Sequence, residues 1–228
     1  DIVEGRLHRK IEIAISKGEK TVLINGKPVR RLSELSKLVN IVLFYPGDVT
    51  IFQGTPAGRR SFLDMSLGKS SSDYMSLVSK YGRMLKQRNA LLKSDNPDPR
   101  LLDVITDQMI EIEGPIIGYR RMYISSINRI LPDLLGRIRG TEAPCELVYR
   151  SFVKDDESYK RRAKKAYSDA LESDLRYKTT SVGVHREDFS ARLNGKDVAP
   201  FGSQGENRMI ALALKLSPYF LIGDPDKK

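Results

Sequence analysis

The run Pro200-Phe201-Gly202-Ser203-Gln204-Gly205-Glu206-Asn207-Arg208, continuing as Met209-Ile210-Ala211-Leu212-Ala213-Leu214-Lys215-Leu216, decides how the rest of the chain is read. A glycine-bounded Ser-Gln-Gly opens an apolar segment free of internal Gly and Pro, which predicts a loop feeding a helix N-terminus. Ser203 suits the N-cap, where its hydroxyl satisfies an orphan N–H of the first turn. Free N–H groups and the positive end of the helix dipole make such a terminus a seat for an anion. Taken alone, the triplet reads more simply as an ordinary capped helix.

Other stretches shift that balance. Immediately upstream lie Gly183-Val184-His185-Arg186-Glu187-Asp188-Phe189 and Leu193-Asn194-Gly195-Lys196-Asp197. Farther upstream are Val42-Leu43-Phe44-Tyr45-Pro46-Gly47-Asp48 and Gly54-Thr55-Pro56-Ala57-Gly58-Arg59-Arg60-Ser61-Phe62-Leu63-Asp64, with Leu85-Lys86-Gln87-Arg88-Asn89-Ala90-Leu91-Leu92 between. In this order and spacing, over nearly the whole chain, the set resembles the RecF family of bacterial recombination and repair proteins, ABC-type ATPases related to SMC proteins.

The totals agree with a soluble, nucleic-acid-associated class. The 228 residues suffice for a substantial core, and Lys plus Arg exceed Asp plus Glu by 39 − 29 = 10. That balance, with a calculated pI near 9.6, favours a polyanionic partner. One Cys excludes an intramolecular disulfide framework and fits a reducing compartment. No apolar run approaches the ~18 residues of a membrane span, and no signal-peptide pattern opens the chain. A Gly-x-x-x-x-Gly-Lys-Ser/Thr phosphate loop is absent, as is an apolar strand ending in paired acids. Because an ABC-type head needs both, the expectation is an internal fragment.

Working outward along the chain, residues 2–16 alternate like a half-buried strand pair, Thr21–Ile24 continue the sheet, and Asn25-Gly26 marks a hairpin. Ser33 caps a short helix, and Ile41–Phe44 reads as a buried strand. Pro56 starts a helix whose Arg59 and Arg60 are expected to brace the fold. Apolar residues at helical spacing from Tyr74 to Leu92 and from Leu102 to Leu135, broken at Asn96-Pro97-Asp98-Pro99, predict an antiparallel helical hairpin. Gly114-Pro115 predicts a kink in its second arm. Cys145–Tyr149 reads as a strand of the arm, Asp156–Tyr177 as a basic helix, and Thr179–Val184 as a strand. Phe189–Leu193, Asn194-Gly195 and Val198–Phe201 read as a further hairpin.

The resemblance implies an α+β fold: part of an ABC-type ATPase head, with antiparallel strands and the signature helix, into which a mainly helical lever arm is inserted. Residues 1–69 and 178–228 would belong to the two head lobes and 70–177 to the arm. It implies that Ser203, Gln204 and Gly205 contact ATP bound to the facing head, with Ser203 hydroxyl and Gly205 N–H at the γ-phosphate. Glu206 stands where the family usually has Gln, and its side chain is expected to point away from the triphosphate. Where relatives carry a Gln-loop glutamine this chain has Pro46, leaving Asp48 as the nearest oxygen ligand for Mg²⁺; a helix N-cap is the other reading of Asp48. DNA-contact candidates are Lys86, Arg88, Lys160, Arg161, Lys164 and Lys165, each of which also reads as a solvated charge. His185, Arg186 and Asp188 suit a structural or DNA-facing role, in a stretch where Val184 and Glu187 depart from the usual Gly-Pro-His-Arg-Asp-Asp. The implied function is ATP-dependent homodimerisation on single-stranded, double-stranded and gapped DNA in the cytoplasm, at the nucleoid. There it would help RecO and RecR direct RecA in replication-linked repair, with weak ATPase activity in the full-length protein and none in this fragment. The rival reading is a non-enzymatic DNA-binding or scaffold module built on the helical hairpin.

Overall fold

The computed structural model describes residues 2–4, 7–16, 19–29, 50–154 and 156–221. The readings of Ser33, Ile41–Phe44, Pro46 and Asp48 therefore lie outside the described residues. The chain divides into two compact units, Asp1–Ile41 and Val42–Lys228.

The first unit is built of hairpins. Strands β1 (Ile2–Glu4) and β2 (Leu7–Arg9) pair antiparallel, Ile2 opposite Arg9. Strands β3 (Ile11–Ser16), β4 (Glu19–Ile24) and β5 (Lys27–Pro28) form a meander with Ile11 opposite Ile24. Asn25 and Gly26 take φ of 49° and 77°, the pair of positive values that a tight hairpin turn requires and that Asn-Gly tolerates. Asn25 also accepts a 2.7 Å bond from Lys10 N–H through Oδ1.

The second unit is organised around one helix. Helices α1 (Pro56–Ser70) and α2 (Ser72–Lys93) precede α3 (Pro99–Arg139), which is 41 residues long. Thr55 caps α1 and Ser71 caps α2 through their hydroxyls, with Pro56 filling the first helical position of α1. Asp98 caps α3 at Arg100 N, and Gly140, at φ 73°, ends it in the left-handed conformation. Strand β6 (Cys145–Arg150) follows, then α4 (Tyr159–Tyr177), β7 (Asp188–Leu193), β8 (Lys196–Asp197), the short α5 (Val198–Phe201) and α6 (Gln204–Leu221). The sheet runs β6-β7-β8 with both pairings antiparallel.

Two apolar clusters fill this unit. One gathers Leu63, Leu131, Leu147, Phe189, Ile210 and Leu214 from the helices and the sheet. The other gathers Tyr74, Tyr81, Met109, Ile117, Tyr167 and Val184 from α2, α3, α4 and the loop before β7. Helix α3 belongs to both. The pairs Tyr74–Tyr119 and Arg88–Thr106 fix α2 antiparallel to it, so the expected hairpin is present.

Helix α3 carries Gly114-Pro115 within it, with Ile116 and Ile117 just beyond fully buried; two such burials, roughly 1.5–3 kcal/mol each, outweigh the ~3 kcal/mol cost of an internal proline. Three local expectations change. Strand β6 is not confined to the helical arm: it pairs with β7 from Cys145–Leu193 to Arg150–Asp188 and packs in the cluster that holds α6. Residues 179–184 form bends and a turn instead of a strand. Their polar groups bond to side chains, as when Thr180 N and Ser181 N donate to Asn89 and Asp174, and Gly183 turns the chain at φ 119°. Val198–Phe201 is a helical turn capped by Asp197, closed by Gly202 N–H on Val198 O.

Candidate functional site

The approach to α6 is set by close packing. A side chain on Gly202 would lie 2.7 Å from Val198 O, so only glycine fits there. Buried Asn207 donates through Nδ2 to Val198 O, Gly202 O and Ser203 O at 3.1, 3.1 and 3.0 Å, pinning the turn from inside. Ser203, Gln204 and Gly205 are thereby held on the surface. Glu206 N–H donates to Ser203 Oγ at 3.2 Å, while Ser203 N–H and Oγ–H donate to Glu206 Oε2 at 2.9 and 3.0 Å. This is a reciprocal capping box. Those two bonds, the backbone one first, hold the Glu206 carboxyl below its ordinary range. Glu206 folds back on the loop because two donors of Ser203 lie within its reach.

Gly205 is different from Gly202. The nearest heavy atom to an added Cβ is Ser203 Oγ at 4.0 Å. Glycine in a helix costs about 1 kcal/mol relative to Ala, yet nothing in the chain's own packing demands it at this exposed position. The space where a side chain would stand is open.

His185, Arg186 and Asp188 lie where the second core meets the sheet. His185 Nε2 faces Thr180 O at 3.0 Å, which can only accept, so Nε2 carries the proton and Nδ1 accepts from Tyr81 Oη at 2.6 Å. Burial lowers the His185 pKa to about 4, keeping the ring neutral. Arg186 donates to Thr180 O at 3.3 Å. Asp188 receives a two-pronged bond from Arg59 at 2.7 and 2.8 Å, and Arg60 donates to Glu187 O; the two arginines do brace the fold. Among the described residues no group of three or more His, Cys, Asp or Glu could hold a metal ion.

The sequence reading missed the buried charges behind these residues. Arg120 donates to Tyr74 Oη, Val184 O, Glu187 and Asp64 at 3.0, 2.8, 3.2 and 3.0 Å. Glu113 accepts from Tyr167 Oη and Val184 N–H through Oε1, and its Oε2 has no partner. Burial raises the Glu113 pKa to about 7. A signal existed: Glu113, Arg120 and Asp174 all fall on the apolar stripes of their helices, where a solvated charge has no place.

The basic candidates separate sharply. Arg88 is 1% exposed, ion-paired to Asp174 at 2.7 Å and bonded to Thr106 and Thr180. Its assignment as a DNA contact is corrected: at the position in α2 that faces α3 and α4, it is a core group. Lys86 is exposed. On α4, Lys160 pairs with Glu111, Lys164 with Asp103 and Asp107, and Lys165 with Asp169, while Arg161 donates to Ser158 Oγ at 3.4 Å. A cleft of about 560 Å³ beside them is lined by Arg88, Arg100, Arg161, Lys164, Lys165 and Tyr167.

No family model matches the chain. Among curated proteins it is 35% identical over 225 residues to the DNA replication and repair protein RecF of Lachnoclostridium phytofermentans, covering 97% of this chain and 60% of that one. It is 36% identical over 212 residues to the RecF of Agathobacter rectalis, covering 90% and 56%. Two solved structures of the recombination mediator protein RecF in the RecFOR pathway share the fold. The one with ATP has a TM-score of 0.81 at 28% identity, over 95% of this chain and 60% of that one; the one with ATPrS has 0.79 at 30%, over 92% and 58%. The ABC ATPase-type fold expected from the sequence is thus the fold observed. The chain spans about 60% of the length of the RecF proteins it matches, and over that span its sequence and fold are similar to theirs.

Proposed function

We propose that this chain is the signature-bearing part of a DNA replication and recombinational repair ATPase, in which the start of α6 meets ATP held by a second copy. The observation that carries this reading is the surface Ser203-Gln204-Gly205 turn, with Gly205 unoccupied on its outer side. The residues fit a phosphate: a helix N-terminus offers N–H groups and a favourable dipole, and the Ser203 hydroxyl would exchange its bond to Glu206 for one to the phosphate. ATP would supply the γ-phosphate that joins two heads. Magnesium at Asp48 stays part of the proposal through the family resemblance alone. Dimerisation would clamp single-stranded, double-stranded or gapped DNA in the cytoplasm, at the nucleoid, with RecO and RecR directing RecA onto it. Support comes from the RecF relatives and from the RecFOR-pathway structures with ATP and ATPrS. No helix among the described residues is long and apolar enough to cross a membrane.

The test is Ser203→Arg in the full-length protein, followed by sedimentation with and without a non-hydrolysable ATP analogue. Loss of the cap costs about 1 kcal/mol, too little to unfold a domain of ordinary stability. Nucleotide binding to a single head should survive, whereas analogue-dependent dimerisation should be lost. A mutant that dimerises like wild type makes Ser203 a helix cap and nothing more.

A further inference from the structure

Helix α2 buries Tyr74, Tyr81, Arg88 and Leu92 along one side. On the other side lie Lys80, Arg83, Lys86 and Lys93, all exposed. At 3.6 residues per turn these four cations fall within about 140° of the helix circumference, opposite the buried stripe. Exposed Ser76, Ser79, Gln87 and Ala90 fill the same side. The helix has a single acid, Asp73 in its first turn. Among the described residues no carboxylate pairs with Lys80, Arg83, Lys86 or Lys93; Arg83 bonds only to Ser79 Oγ, at 3.0 Å.

The contrast with α4 decides between the two basic surfaces. There three lysines face four carboxylates, Asp103, Asp107, Glu111 and Asp169. A polyanion docking on that side would have to pull each lysine off its partner and leave the carboxylate facing its own charge. On α2 four cations face none. We infer that the solvent side of α2, from Lys80 to Lys93, is the surface on which this chain receives the phosphate backbone of DNA, an assignment that rests on the DNA-binding function proposed above. The occupant follows from charge and shape. Thirteen residues of helix rise extend about 20 Å, which matches the axial run of roughly six phosphates on one strand of a duplex, at about 3.4 Å each. The side has no exposed aromatic ring for stacking bases and no acid to select a base edge, so contact is with backbone and is indifferent to sequence.

The experiment uses the full-length protein and compares Lys80→Ala/Arg83→Ala/Lys86→Ala/Lys93→Ala with Lys160→Ala/Lys164→Ala/Lys165→Ala. Alanine is the best helix former and all these side chains are exposed, so both variants retain the fold. Anisotropy titrations with a duplex of about 20 base pairs, in two unrelated sequences and from about 50 to 200 mM salt, read affinity and its salt slope. The α2 variant should bind both duplexes at least about tenfold more weakly, with a slope shallower by about 3.6, from ~0.9 for each of the four phosphates released. The α4 variant should change little. Unchanged affinity and slope in the α2 variant overturn the assignment, as does an equal or larger loss in the α4 variant. Loss of binding to polyglutamate with DNA binding intact would make the surface a dock for acidic protein and also overturn it. Failure of the functional reading has its own mark: wild type that binds neither duplex, or a Ser203→Arg protein that still dimerises.

Discussion

Glu113 and His185 are two titratable groups in one buried network, and they pull stability in opposite directions with pH. Three oxygens, Glu113 Oε1, Tyr167 Oη and Tyr81 Oη, crowd Gly183 so closely that an added Cβ would lie 2.5–2.7 Å from each. Burial raises the Glu113 pKa from 4.5 to about 7. The folded state then holds a proton that the unfolded chain releases, so this group's contribution declines as pH rises from about 4.5 to about 7, by roughly 3 kcal/mol. His185 is lowered from 6.5 to about 4 by burial, so its contribution is full above 6.5 and is lost as pH falls towards 4. Between about 4.5 and 6.5 the two slopes offset. Glu113→Gln removes one of them, and urea unfolding of that variant should show stability rising with pH across this window, with a gain over wild type at pH 8. A variant profile parallel to wild type would show that Glu113 does not carry the proton. Gly183→Ala has no such subtlety. A positive φ of 119° and three blocking oxygens predict a loss of about 3 kcal/mol or more in the same assay.

At the level of elements, Arg88 joins three of them. It carries α2 onto Asp174 of α4, onto Thr106 of α3 and onto Thr180 in the following loop, beneath the Tyr167 ring at 5.2 Å. Removing the guanidinium leaves Asp174 charged and buried, although Ser181 N–H and Oγ–H still donate to it. Arg88→Ala should cost about 3–5 kcal/mol, and protease sensitivity should appear first around 178–187. An unchanged unfolding midpoint would show that Asp174 is adequately held by Ser181 alone. The hairpin of α2 and α3 was legible because its apolar spacing is long and regular. The two failures near β7 have a physical source. Thr179–Val184 carries strand-like composition, but no neighbouring strand edge takes up its polar groups and side chains from other elements do. Val198–Phe201 follows an Asn-Gly turn, yet Asp197 at its start is a better helix cap than a strand residue. Arg88 was misread because a charge is expected to be solvated, and only its place on the stripe of Tyr74, Tyr81 and Leu92 argued otherwise.

For the whole molecule, the order and spacing of the motifs already resemble those of the proteins that the chain matches. The capping box has its own sequence sign, Ser-x-x-Glu ahead of an apolar run. What the sequence could not show is pairing between distant segments: which lysines meet carboxylates forty or more residues away, and that β6 and β7 share a sheet. The two apolar clusters are joined by α3, so Val42–Lys228 should unfold as one cooperative unit. Ile117→Ala in one cluster and Leu131→Ala in the other should each lower the same calorimetric transition, by an amount corresponding to about 2–5 kcal/mol. Two separable transitions would mean that the clusters are independent.

A rod of 41 residues is about 62 Å long, and its two ends are gripped by different surroundings. Near Leu131 and Leu135 it touches the cluster that holds α6; near Ile105 and Met109 it supports the helix whose outer side is lined with cations. Held in this way, it would act as a pointer with a long throw: a tilt of about 5° at the sheet end would carry the other end about 5 Å.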